Sequence, residues 1–267
     1  MKNTLLLLLL VAFASCKQTT ETKTAEEKIT EEVETTKVIE KQYPESIAKV
    51  FEAHGGLSTW KSMNTLEFTM EKPDGPEITT TDLKSRKARI EMPNHALGFN
   101  GNTVWVQNKG EADYEGKPKF YYNLMFYFYA MPFVLADDGI TYSEAEPLTF
   151  EGVAYPGIKI SYGAGVGSSP DDEYIIYYDA NTNQMAWLAY TVTFFAKEKS
   201  EKFSYIKYGT WQDVNGVKLP KAITWYNVVD GKPVDVKREV EFSDVKLAKD
   251  KKAASFYEAP EGSQIIE

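Results

Sequence analysis

One stretch of the chain, residues 119–139, constrains the fold more than any other. Its sequence is KFYYNLMFYFYAMPFVLADDG, and we call it the aromatic stretch after its eight aromatic residues, Phe120, Tyr121, Tyr122, Phe126, Tyr127, Phe128, Tyr129 and Phe133. Each buried aromatic side chain removes roughly 150–250 Å² from water, so the stretch has on the order of 1,500 Å² of surface to bury. A soluble monomer seldom exposes more than about 600 Å² of contiguous apolar surface. The stretch must therefore be covered by the rest of the fold, by a membrane surface or by a ligand.

The length and the proline of the aromatic stretch indicate a helical structure. It is longer than a usual strand, and Pro132 would interrupt the hydrogen bonds of a central strand. Proline is accepted in the first turn of a helix, and Gly139 is suited to the position after a helix end. We therefore predict two helical pieces, at about residues 119–130 and 132–137.

The N-terminus has the pattern of a secretory signal peptide. Lys2 supplies the positive charge, Leu5–Val11 form an apolar segment, and small residues follow. This apolar segment is too short for a transmembrane helix. We predict that residues 1–15 are a signal peptide.

Cys16 is the only cysteine of the chain, so no intramolecular disulfide bond can form. Together with the preceding Phe13-Ala14-Ser15 it resembles the lipobox of bacterial lipoproteins, in which the cysteine is lipidated and becomes the mature N-terminus. The alternative is an ordinary cleavage site at Ala12-Phe13-Ala14, which would leave Cys16 as a free thiol. Lipidation is favoured, because an exposed lone thiol is a liability in an oxidising compartment.

The next segment, residues 17–42, consists mainly of Thr, Glu and Lys. Such a composition buries too little apolar surface to offset its chain entropy, so residues 16–42 are predicted to be a lipidated cysteine followed by a disordered tether. The remaining residues, 43–267, fit one domain. The formal net charge of −9 argues against nucleic acid as a partner.

Most of this domain is predicted to be β-structure. Helices are expected at 44–54 and 57–63, and the apolar residues then follow a period of two from Leu66 onward. The strand near 184–196 is apolar on both faces and must be covered on both. Asn215-Gly216 and Asp230-Gly231 are strong hairpin signals. We therefore predict a mainly β (α+β) fold, an open antiparallel sheet of roughly ten to twelve strands curled around helices. The strands expected in the second half of the chain lie at 148–155, 157–163, 173–180, 184–196, 202–213, 217–229 and 233–247.

Several strings of the sequence together resemble a family of uncharacterised Bacteroidota lipoproteins. They are HGGLSTW, YYNLMFYFYAMPFVLADDG, DDEYIIYYD, YTVTFF and SFYEAP. Such domains are similar to the periplasmic lipoprotein carriers and outer-membrane lipoprotein receptors. The resemblance implies a LolA/LolB-like half-barrel, an open antiparallel sheet that wraps helices around an apolar cavity for acyl chains. The residues after Cys16 lack the pattern associated with surface export in these bacteria, so an outer-membrane anchor with the domain facing the periplasm is expected.

The residues expected to line such a cavity are aromatic, with one exception. Arg238 interrupts an apolar strand face: a register shift could turn it outward, or it could serve as the counter-charge for an acidic head group. The aromatic stretch itself either lines a cavity or packs as a solid core. Its tyrosines, whose buried hydroxyl groups need partners, favour the cavity, and the resemblance favours it more. The cavity candidates are Tyr122, Phe126, Tyr129, Phe133, Trp187, Trp225 and Arg238.

No motif predicts catalysis, a metal or a cofactor. The two histidines, His54 and His95, have no recognisable catalytic partner in the sequence, and no set of residues has the spacing of metal ligands. The acidic groups Asp137-Asp138 and Asp171-Asp172-Glu173 are interpreted as solvated turns. The predicted function is a lipid-anchored envelope protein that binds an apolar or acyl ligand. The alternatives are a hydrolase or isomerase that uses carboxylates or tyrosines in the same cavity, and a structural scaffold of the envelope.

Overall fold

The computed structural model of the protein describes residues 41–163, 172–194 and 200–267. The predicted signal peptide, Cys16 and the tether up to residue 40 lie outside the described residues. The chain from Gln42 to Glu267 forms one compact unit, to which the following description applies.

Two short helices open this unit and confirm the helices predicted there. In the first, Ile47, Val50 and Phe51 recur at helical spacing and are buried, while Pro44 precedes the first turn. The second buries Trp60. Two further short helices and a 3₁₀ turn belong to the aromatic stretch. The helices are α1 (Glu45–Ala53), α2 (Leu57–Ser62), α3 (Pro118–Tyr121) and α4 (Leu124–Tyr129), and the 3₁₀ turn is Phe133–Ala136.

The strands form two antiparallel seven-stranded sheets. In the first sheet the order is β13-β1-β2-β3-β4-β5-β14, and in the second it is β12-β11-β10-β9-β8-β7-β6. The first sheet contains β1 (Thr65–Met70), β2 (Glu77–Asp82), β3 (Ala88–Glu91), β4 (His95–Phe99), β5 (Val104–Asn108), β13 (Ser243–Ala248) and β14 (Gln264–Ile266). The second contains β6 (Ile140–Phe150), β7 (Val153–Tyr162), β8 (Tyr174–Tyr178), β9 (Met185–Tyr190), β10 (Ser204–Val214), β11 (Val217–Val229) and β12 (Lys232–Glu241).

The mainly β, open antiparallel architecture with few helices is therefore confirmed, but it has more strands than predicted. The described residues contain fourteen strands. One reason is that the strand predicted at 233–247 is divided between the two sheets at Phe242. There the backbone N–H of Phe242 donates to the carbonyl of Lys221 at 2.8 Å, and its ring is buried.

The aromatic stretch lies between the two sheets. Tyr129 contacts Phe68 of the first sheet, with 4.4 Å between ring centroids, and Phe128 contacts Tyr190 of the second sheet at 5.0 Å. The predicted helical structure is confirmed, although in shorter pieces than expected. The rest of the fold thus covers much of the stretch.

The strand expected to be covered on both faces is observed as β9, which ends at Tyr190 rather than at residue 196. Residues 191–194 are not in a strand, and residues 195–196 lie outside the described residues. On one face of β9 the cover is the aromatic stretch. On the other face, Trp187 is covered by Phe150 from the β6–β7 hairpin, with ring centroids 4.7 Å apart.

The string HGGLSTW has a structural role at the turn between α1 and α2. The N–H of Lys218 donates to the carbonyl of His54 at 2.8 Å, which holds the turn against the β10–β11 hairpin. Gly55 has φ +104°, and a Cβ atom there would lie 2.0 Å from the carbonyl oxygen of Gly216. Burial lowers the pKa of His54 to about 4, so its imidazole is neutral near pH 7.

Candidate functional site

A cavity of about 480 Å³ lies between the aromatic stretch and the inner face of the second sheet. The aromatic stretch forms one wall, chiefly through Tyr122, Leu124, Phe126 and Phe128. Phe126 and Phe128 are almost fully buried, with 2% and 5% of their surface exposed. This wall is therefore apolar and fixed by packing.

The opposite wall is a row of side chains, one from each of four strands, which we call the aromatic row: Tyr162 of β7, Tyr174 of β8, Tyr190 of β9 and Trp225 of β11. The centroids of Tyr162 and Tyr174 are 5.6 Å apart, and those of Tyr174 and Tyr190 are 6.4 Å apart. Trp225 Nε1 donates to the hydroxyl of Tyr190 at 3.0 Å. Residues paired across antiparallel strands share a face, as Tyr174 and Tyr190 do, and this aligns the rings.

Arg238 of β12 continues the aromatic row at one end. It pairs in register with Trp225, so both side chains are on the cavity face, and its guanidinium carbon lies 3.8 Å from the centre of the Trp225 ring. The register of β11 and β12 does shift, between Trp225 and Tyr226 and again between Tyr226 and Val228, but both shifts lie beyond the pair of Trp225 and Arg238. Because the pairing of Arg238 with Trp225 is maintained, the side chain is not turned outward.

Two carboxylates of the cavity wall are engaged by neighbouring groups. Arg86, in the turn between β2 and β3, donates through Nη2 to both oxygens of Asp137 at 2.7 Å, and its guanidinium lies 5.1 Å from the centre of the Phe126 ring. Asp172 accepts hydrogen bonds from the N–H of Thr193 at 2.6 Å and from its hydroxyl at 2.8 Å. The expectation of a solvated turn is wrong for Asp172, whose side chain is buried and whose carboxylate is bonded to the segment after β9.

The phenol groups of the aromatic row are neutral hydrogen-bonding groups. Burial is the main cause that raises the pKa of Tyr162, Tyr174 and Tyr190 above the ordinary value for tyrosine. A neutral phenol can donate one hydrogen bond and accept others. The aromatic row itself therefore offers ring surface and polar edges but no negative charge.

Three tyrosines from outside the aromatic stretch hold its backbone in place. The hydroxyl of Tyr208 donates to the carbonyl of Phe128 at 2.8 Å. This carbonyl lacks the usual helical donor four residues on, because Pro132 has no N–H. Tyr142 donates to the carbonyl of Leu135, and Tyr43 donates to that of Ala136 at 3.1 Å. Sequence reasoning missed these anchors, although Pro132 marks a carbonyl in need of a donor.

The structure places four of the seven predicted cavity residues at the cavity, namely Tyr122, Phe126, Trp225 and Arg238. Tyr129 and Phe133 are instead in the solid core, where they are 0% and 1% exposed. Phe133 stacks on Trp60 with 4.7 Å between centroids. The prediction that Tyr129 and Phe133 line the cavity is therefore wrong. The aromatic stretch is packed on more than one side, and these two rings point into the core rather than toward the cavity.

Trp187 also lies away from the cavity, on the outer face of the second sheet. Alternate residues of a strand point to opposite faces, so Trp187 faces away from Tyr190. It is fully buried under Phe150, and Phe150 also contacts Tyr226 of β11 at 5.4 Å. Since β6 is the edge strand and β11 is five positions away, the end of the β6–β7 hairpin must fold over this outer face.

The three tyrosines of the aromatic row were not predicted as cavity residues. Tyr162, Tyr174 and Tyr190 each occur in a predicted strand, and two of them belong to strings that were singled out by resemblance. Each of these tyrosines is two residues from an apolar residue of the same strand, namely Ile160, Ile176 or Leu188, and therefore shares its face. This spacing was the available signal, but it did not show which face was internal.

Neither a metal centre nor a membrane-spanning helix is found in the described part of the chain. Within residues 41–163, 172–194 and 200–267, no three His, Cys, Asp or Glu side chains are grouped so that they could hold a metal ion. None of the helices in these ranges is long and apolar enough to cross a membrane.

Comparisons with known proteins give one family match. A family described as "Family of unknown function (DUF6503)" matches residues 115–242, just under half of the chain, and this segment includes the aromatic stretch and much of the second sheet. No curated protein matches the sequence significantly.

Solved structures with a related arrangement have very different sequences. One is a LolA-superfamily protein from Nitrosomonas europaea, with 9% identity and a TM-score of 0.47 over 79% of this chain and 96% of the other. Another is a DUF1329-family protein from Desulfovibrio piger, with 8% identity and a TM-score of 0.44 over 78% of this chain and 97% of the other.

Proposed function

We propose that this protein is a lipid-anchored component of the cell envelope that binds an elongated apolar ligand, such as an acyl chain, in the cavity. The observation that carries this proposal is the cavity of about 480 Å³ between the aromatic row and the wall formed by Phe126 and Phe128. Ligand sites typically have volumes of roughly 300–1,000 Å³ and are lined by apolar and aromatic groups with a few polar ones.

The geometry of the aromatic row favours an elongated ligand. Its members belong to strands from β7 to β11, and Arg238 extends the row to β12. Six neighbouring strands span roughly 24 Å at the usual separation of strands. A chain-like ligand can contact all of these rings, whereas a compact one would contact only part of the row.

A chain-length series tests the binding proposal. The Cys16→Ala protein, which retains the whole chain but no lipid, would be titrated with straight-chain alcohols of increasing length by displacement of a fluorescent fatty acid. Each buried methylene adds about 0.8 kcal/mol, so affinity should rise about fourfold per methylene until the cavity is full and then level off. Affinity that does not depend on chain length would contradict the proposal.

A cavity-filling variant and a matched surface control test whether the ligand binds in this cavity. Leu124 is half-buried and lines the cavity, so Leu124→Trp should reduce the affinity for all chains and shorten the longest one that fits. Val153, which is 47% exposed in β7, does not line the cavity, and Val153→Trp should leave binding unchanged. Equal binding by both variants would place the ligand elsewhere.

The proposed anchor is the lipidated Cys16, and the proposed location is the periplasmic face of the outer membrane. The support for both is the signal-peptide pattern of residues 1–15 and the residues around Cys16. Metabolic labelling with a radioactive fatty acid should mark the wild-type protein but not Cys16→Ala. Labelling of the variant to the same extent would refute the anchor.

A further inference from the structure

Two cationic side chains line the cavity in addition to Arg86. Arg238 lies at the end of the aromatic row, and Lys119 of α3 lines the same cavity. Both side chains belong to exposed residues. Neither forms an ion pair or a hydrogen bond with a protein group in residues 41–163, 172–194 and 200–267; the contact of Arg238 is with the face of Trp225.

Arg238 lies on the same side of the cavity as α3. Its charge is close enough to Tyr121 of α3 to favour ionisation of that phenol, although burial outweighs this effect and raises the Tyr121 pKa. Lys119 lies two residues before Tyr121 in the same short helix. Both cations therefore line the cavity, with Arg238 at the end of the aromatic row that lies at the edge strand β12.

The other cation of the cavity wall is already neutralised. Arg86 is paired with Asp137, and the carboxylate of Asp172 is held by Thr193. Arg238, at the β12 end of the aromatic row, and Lys119 thus remain as cavity-lining cations without an acidic partner among the described residues.

We propose that this end of the cavity binds an anionic head group, a carboxylate or a phosphate, of the apolar ligand. The inference rests on the proposed function, because it assigns an orientation to the ligand of the same cavity. Guanidinium groups bind carboxylates and phosphates through paired N–H donors in the guanidinium plane. Those donors stay available while the flat face of Arg238 remains against Trp225.

The test compares head groups at a constant chain length. The Cys16→Ala protein would be titrated with dodecanoate, dodecyl phosphate, dodecanol and dodecylamine, at a pH well above the pKa of the carboxyl group. At least one of the two anions should bind about fivefold more tightly than dodecanol, the factor expected for about 1 kcal/mol at an exposed ion pair. The amine should bind no better than the alcohol. Raising the salt concentration should reduce the preference for the anion because salt screens exposed charges.

Variants of Arg238 separate a role in binding charge from a role in packing. Arg238→Gln should bring the anion to within about twofold of dodecanol while the affinity for dodecanol stays the same. Arg238→Lys, which keeps the positive charge, should retain most of the preference, and Lys119→Gln should reduce it in part. Urea unfolding of each variant verifies that the fold is intact.

The possible failures are distinguishable. If dodecanol binds as well as both anions, or if Arg238→Gln weakens all four ligands equally, the head-group proposal is overturned and the proposed function stands. If none of the four ligands binds, the proposed function is contradicted and the head-group proposal falls with it.

Discussion

Removing the hydroxyl of Tyr208 should destabilise the protein through the backbone of the aromatic stretch. This hydroxyl donates to the carbonyl of Phe128, which has no helical donor because residue 132 is proline. Tyr208 is only 3% exposed and Phe128 only 5%, so water cannot easily replace the lost donor. The variant Tyr208→Phe keeps the ring and removes only the hydrogen bond.

The expected loss in the free energy of unfolding is about 2 kcal/mol, within the range of about 1–3 kcal/mol for a buried group left without a partner. For a domain of this size, such a loss lowers the melting temperature by roughly 4–8 °C. Urea unfolding followed by circular dichroism measures the free energy, and thermal unfolding measures the melting temperature. The slope of the urea transition should be unchanged, since the surface buried on folding is nearly the same.

Tyr155→Phe is the matched control. Tyr155 is half-buried, and its hydroxyl makes no hydrogen bond among the residues that the structure describes. Its removal should change stability by less than about 0.5 kcal/mol. If Tyr208→Phe also stays within about 0.5 kcal/mol of the wild type, the carbonyl of Phe128 does not depend on this donor and the reasoning fails.

Three further substitutions test other parts of the structure by urea unfolding. Phe150→Ala uncovers Trp187 and should cost about 3 kcal/mol, with a red shift of tryptophan fluorescence. Burial raises the pKa of Glu77, whose carboxylate accepts a hydrogen bond from Tyr121, so ionisation above that pKa costs stability. Glu77→Gln should therefore be more stable than the wild type near pH 7, and the difference should disappear as the pH falls toward about 4. Gly55→Ala should cost more than about 2 kcal/mol, because a positive φ and a backbone carbonyl 2.0 Å away both exclude a side chain.

Each of these substitutions has a control or an outcome that contradicts it. Phe150→Leu should retain most of the stability. Equal losses for Leu and Ala would show that Phe150 does not stabilise the protein by hydrophobic packing on Trp187. A Glu77→Gln variant with the pH dependence of the wild type would show that this carboxyl is not the titrating group. Gly209→Ala, where a Cβ atom meets no other atom within 4 Å, should cost far less than Gly55→Ala.

The sequence by itself determined which segments had to be buried. The aromatic stretch carried too much apolar surface to remain exposed, and its proline indicated helical pieces rather than a strand. The strand that became β9 was apolar at successive positions, which required a cover on both faces. The turns at Asn215-Gly216 and Asp230-Gly231 were fixed by local backbone chemistry, and both hairpins are observed.

Only the tertiary structure decided which rings meet the cavity. A period of two separates the faces of a strand but does not state which face is internal, so Trp187 and Trp225 look equivalent in the sequence although they lie on opposite faces of one sheet. Within the aromatic stretch no polar face distinguishes Phe126 at the cavity from Phe133 in the core. Both choices depend on contacts between residues far apart in the chain, which set where the two sheets and the β6–β7 hairpin close over the stretch.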